Sequence, residues 1–157
     1  MTITAMVILE RCRTAGREMR LLWERVARYQ DAIGRMTSTL GSVGSRGTGE
    51  TDRIAAMLGE IDELERRAEM RKKEYDAEVA ATCKLLDMLP DVESAILSRF
   101  YVKRLPLKAI ARELGYSYGY VRTCKSEGCK HLDDMPGSVI LDLLPPSYIT
   151  DDEKRQR

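Results

Sequence analysis

Near the C-terminal end of the chain stands a set of side chains whose types and spacing suit nucleic-acid recognition. Within LPLKAIARELGYSYGYVRTCKSEGCKHL, residues 105–132, a helix over 117–132 would begin at Ser117 and turn Tyr118, Tyr120, Arg122, Thr123, Lys125 and Ser126 outward. Such a face of hydrogen-bond donors and aromatic rings fits phosphate oxygens and base edges in a major groove. Arg122 is the expected base reader, because a guanidinium can bridge guanine O6 and N7. Tyr118 and Thr123 are candidates for base or sugar contacts. Lys108, Arg112 and Lys125 are expected to bind phosphates and set the register.

The elements that must position these groups are also legible. Pro106 can open a helix, where its missing N–H costs little. Leu107, Ile110, Ala111 and Leu114 follow at helical spacing. Gly115 supplies a left-handed stop, and Ser117 is a good N-cap for the next helix. That helix would turn Val121, Cys124, Gly128 and Leu132 inward. Two short helices joined by a glycine turn make a helix-turn-helix; an ordinary pair of core helices is the plainer alternative. A further helix over 89–101, capped by Asp91, would face the core with Val92, Ala95, Ile96, Phe100 and the stem of Arg99. Phe100 and Tyr101 would then pack across the motif, giving a compact three-helix reader over 91–132. Between Glu93 and Glu113 no acid intervenes, while Arg99, Lys103, Arg104, Lys108 and Arg112 all appear. Beside a helix-turn-helix, such a run is expected to grip phosphates.

Upstream, apolar residues recur every seven positions. Cys12, Met19, Val26, Ile33 and Leu40 form one series, and Ala15, Leu22, Tyr29 and Met36 fill the alternate places. So narrow a seam predicts coiled-coil packing. After a glycine- and serine-rich break over 41–49, expected to be a flexible loop, Ile54, Met57, Ile61, Leu64, Ala68 and Tyr75 continue a similar seam. It then drifts through Val79, Cys83 and Leu86. The fold class expected is therefore all-α: a long N-terminal antiparallel helical (coiled-coil) hairpin over 1–89, then a small helix-turn-helix domain over 90–135, then a tail over 136–157. A two-helix hairpin buries little by itself, so a homodimer through the hairpin is expected, with Trp23 a candidate contact. The tail's apolar run over 139–144 is expected to fold back on the core, since exposure would invite aggregation.

Composition narrows the function classes. The 157 residues are 32% charged and 43% hydrophobic, with one Trp and one Phe, which suits long helices better than a sheet sandwich. A net charge of +1 excludes a generally basic DNA-coating protein. Cys12, Cys83, Cys124 and Cys129 include no CxxC pair. Cys124, Cys129 and His131 share one predicted helix, where side chains five positions apart do not converge on one ion. No metal or cofactor is expected. With a single histidine and no glycine-rich phosphate loop after a strand, neither is an enzyme. No apolar run reaches the roughly eighteen to twenty residues of a membrane span, and no secretory signal is legible. Thiols scattered through predicted helices suit a reducing cytosol, and a soluble, intracellular protein is expected.

With these residues in view, the C-terminal third resembles the last DNA-binding domain of bacterial sigma-70 factors, the part that reads the −35 element. Leu89-Pro90 opens its first helix, and Ile96-Leu97 with Arg99-Phe100-Tyr101 stand at that family's apolar-Arg-Tyr segment. Leu107, Ala109-Ile110-Ala111 and Leu114-Gly115 match the first motif helix, and Ser117, Gly119, Val121 and Leu132 the recognition helix. The departures are Cys124 and Glu127, where many such readers carry arginine or another polar residue. A helical hairpin before such a reader is similar to small phage and prophage late-gene activators of the ArpU/RinA-like kind in Gram-positive bacteria. The resemblance implies a sequence-specific DNA-binding transcription regulator that reads a promoter element through 117–132, with double-stranded DNA as partner and RNA polymerase as a candidate partner, located in the bacterial host cytosol and associated with the nucleoid. The rivals are a DNA-packaging protein of the small terminase kind and a coiled-coil assembly protein that binds no DNA.

Overall fold

The computed structural model describes residues 4–42 and 48–144. Among these every regular element is helical: α1 Ala5–Ser42, α2 Thr48–Leu86, α3 Asp91–Leu97, a π-helical turn Ser98–Val102, α4 Leu107–Leu114, α5 Tyr118–Asp133 and α6 Gly137–Leu143. The fold is all-α, a long helical hairpin followed by a small helix-turn-helix domain. Both hairpin helices run into the expected 41–49 loop, with Gly41 and Ser42 inside α1 and Thr48 and Gly49 inside α2; residues 43–47 lie outside the described residues. Compact units divide the chain differently from its elements: Met1–Gly16 with Tyr75–Arg157 form one, Arg17–Glu74 the other.

In the Arg17–Glu74 unit, Met19, Leu22, Val26, Tyr29, Ile33 and Met36 are the buried or half-buried positions of α1, apart from Ala32. Ile54, Met57, Ile61, Leu64, Ala68 and Arg71 answer them from α2, at alternating spacings of three and four. Val26, Ile61 and Leu64 form the centre. Arg71 holds a seam position through ion pairs to Glu18 across the hairpin and to Glu74 along α2.

In the other unit the same spacing continues, and here the sequence expectation needs correction. Of the expected Val79, Cys83 and Leu86, Leu86 is buried and Val79 half-buried, but Cys83 is exposed. Glu78, Thr82 and Leu85 are buried on α2, as Ile8, Cys12 and Ala15 are on α1. Polar residues occupy seam positions, so apolar spacing alone misplaced the register. Glu78 pairs with Arg11 at 3.4 Å, and burial pushes the Cys12 thiol pKa up, opposed by the Thr82 hydroxyl beside it.

Two clusters build the rest of this unit. Ala5, Ile8 and Leu9 of α1 pack with Ala81, Leu85 and Leu86 of α2 and with Leu97, Tyr101, Leu132, Ile140 and Leu144. Helix α6 therefore folds back on the core, with Ile140 and Leu144 buried. The second cluster is the helix-turn-helix core, Ile96, Ile110, Ala111, Val121 and Cys124, with Phe100 packed against both. Asp91 does not cap α3; Pro90 holds that place and Asp91 sits in the first turn, where its charge complements the helix dipole.

Candidate nucleic-acid interface

Gly115 ends α4 at φ 73°, the left-handed conformation that glycine adopts without Cβ strain. Ser117 then caps α5, its hydroxyl accepting from the Tyr120 N–H at 3.2 Å. Val121, Cys124, Gly128 and Leu132 are the buried side of α5, as their spacing predicts. Gly128 sits where an added Cβ would lie 2.9 Å from Leu97 Cδ1, so α5 packs directly on α3. Close to that contact, His131 Nδ1 lies 2.7 Å from Glu93 Oε2. This hydrogen bond, with the carboxylate's charge, pushes the His131 pKa up.

The opposite side of α5 is open. Gly119, Arg122, Thr123, Ser126, Glu127 and Lys130 line one shallow surface groove, and Arg122, Thr123 and Ser126 are all exposed. The Thr123 hydroxyl donates to Gly119 O at 3.0 Å, which leaves its methyl and lone pairs for an outside partner. Tyr118 and Tyr120 are each 46% exposed, and the Tyr120 ring meets Tyr116 edge-on at 5.0 Å. Tyr116, itself exposed, belongs to this aromatic group, although its place in the turn kept it out of the helical pattern. Lys130, exposed on the same groove, lies beyond the N-terminal half of the helix on which sequence reasoning concentrated.

Lys108 and Arg112 lie one turn apart on α4, both exposed. Lys125 is set apart from Arg122, Thr123 and Ser126: it is half-buried, with Nζ 4.5 Å from the Phe100 ring centroid.

The basic run before α4 is only partly available. Arg99 pairs with Glu113 at 2.9 Å and donates to Ala95 O, and Lys103 lies 3.8 Å from the same carboxylate. Arg104, at φ 58°, turns inward and donates to Val102 O at 3.1 Å and to the Tyr75 hydroxyl at 3.3 Å. Expected phosphate grips at Arg99 and Arg104 are thus internal ties, because Glu113 and Tyr75, distant in sequence, hold them together with nearby backbone carbonyls. Lys108 and Arg112 remain open.

Residues 85–134 match the sigma-70, region 4 family. The match takes in α3, the π-helical turn, α4 and α5, so this part of the chain is a helix-turn-helix domain of that DNA-binding kind. No curated protein and no solved structure matches the chain. No helix among the described residues is long and apolar enough to cross a membrane, and no three metal-ligating side chains converge there.

Proposed function

We propose that this protein is a sequence-specific transcriptional regulator of a phage or prophage, an ArpU/RinA-like activator that reads a promoter element with α5 in the major groove. The observation that carries this reading is the exposed face of α5 within a region-4 domain. Arg122 reads a base, Tyr118, Tyr120, Thr123 and Ser126 make base, sugar or phosphate contacts, and Ser117 sets the start of the helix. Lys108, Arg112 and Lys125 hold the backbone. A single reader with so modest a basic surface binds weakly and with steep salt dependence. Pairing two copies through the hairpin, read as a coiled coil, would raise affinity by effective concentration. RNA polymerase contact in the host cytosol would act in the same way. The hairpin is the better surface for it, since α6 has its apolar residues folded inward.

Selection of bound genomic fragments tests the reading. Arg122→Ala should relax preference at one base position by about 1–3 kcal/mol, whereas Lys108→Ala should weaken all sequences alike. Unchanged selectivity in Arg122→Ala would mean that α5 does not read bases in this way.

A further inference from the structure

The hairpin carries a cation that the helix-turn-helix pattern does not contain. Arg13, on α1, places its guanidinium carbon 4.2 Å from the Phe100 ring centroid, and Lys125 of α5 places Nζ 4.5 Å from the same centroid. The two charges are therefore no farther apart than the sum of those distances. Arg11, Arg99 and Arg104 are tied elsewhere: Arg11 to Glu78, Arg99 to Glu113, and Arg104 to Val102 O and the Tyr75 hydroxyl. Arg13 and Lys125 form no ion pair among the described residues. Glu10 is the carboxylate whose charge acts on the adjoining Tyr101 phenol; it pairs with neither. Two like charges gathered on one aromatic ring repel each other. Anions beside them would relieve that repulsion, and the ring restrains both side chains at little cost, because its face attracts cations.

We propose that Arg13 is a DNA-binding residue, holding a backbone phosphate next to the one held by Lys125, so that the base of the hairpin forms part of the DNA interface. The proposal rests on the DNA-binding reading above. Lys125 departs from the Arg122 face toward Phe100, and a position beside the recognition face suits the flanking backbone better than base edges. Because the phosphodiester is the ligand, the contact is indifferent to sequence.

The test measures binding of the full chain to a duplex of unrelated sequence and to its selected site, over a salt series. Variants are Arg13→Gln, Arg13→Lys and Lys125→Gln. Loss of one phosphate contact should flatten the slope of log affinity against log salt by about 0.9, an affinity loss of about eightfold at 0.1 M salt. Arg13→Gln should show that loss equally on both duplexes, while Arg13→Lys keeps the wild-type slope. Wild-type slope in Arg13→Gln overturns the proposal, even if Arg122 and Lys108 variants behave as a DNA reader requires. So does a loss that is the same at every salt concentration, which would indicate a packing role on Phe100. Failure of the wild type to bind either duplex overturns this proposal together with the reading on which it rests.

Discussion

Replacing Gly128 by alanine sets two effects of known sign against each other inside the helix-turn-helix domain. Alanine in a helix interior is favoured over glycine by roughly 0.5–1 kcal/mol. The new Cβ, however, would lie 2.9 Å from Leu97 Cδ1 and 3.4 Å from Glu93 Cβ, against an ordinary carbon separation of about 3.5–4.0 Å. Leu97 is fully buried in the larger core cluster, so it has little room to yield, and overpacking of this kind costs about 1–3 kcal/mol. The steric cost is the larger, and a net destabilisation of about 1 kcal/mol is expected, or some 2–4 °C in Tm for a chain of this size. Gly119 is the control. It lies in the same helix with nothing within 4 Å of an added Cβ, so Gly119→Ala should stabilise by up to about 0.5–1 kcal/mol. Thermal and urea unfolding of both variants, followed by circular dichroism, give the two signs directly. Equal stabilisation by both substitutions would refute the close approach of α5 to α3.

Three further outcomes follow from the same structure. The His131–Glu93 hydrogen bond raises the histidine's folded-state pKa, so its stabilisation should be complete below the unfolded value of about 6.5 and disappear as pH rises through the raised value. The Tm difference between wild type and His131→Gln should accordingly be larger at pH 5.5 than at pH 8.5; a difference independent of pH would contradict it. Ser117→Ala removes the cap on the Tyr120 N–H and should cost about 0.5–2 kcal/mol in urea unfolding, whereas Ser117→Asp should retain most of it. If the hairpin pairs two copies, Trp23, 43% exposed on α1, is the contact to remove. Trp23→Ala should then shift sedimentation toward the monomer without lowering Tm at low concentration, and an unchanged dimer would exclude that face.

What could be read in the residues was whatever local physics decides. Gly115 at a left-handed turn, Ser117 at a helix start and the inward series Val121, Cys124, Gly128 and Leu132 are set by backbone sterics, capping and the helical period. Each depends on neighbours within one or two turns. The apolar part of the hairpin seam was legible over the same range from Cys12 to Met36 and from Ile54 to Tyr75. It was lost at Glu78 and Thr82, because hydrophobic spacing cannot recognise a polar side chain that tertiary packing buries. The fate of the basic side chains lay beyond sequence altogether. Arg99 and Arg104 look as available as Lys108 and Arg112 along the chain, yet Glu113 and Tyr75, distant in sequence, claim the first two. Lys125 shares the helical stretch of Arg122, yet the Phe100 ring draws it aside, to a place that Arg13 approaches from the start of the chain. A charged side chain reaches several ångströms and settles on whichever partner the fold brings near; that choice belongs to tertiary structure.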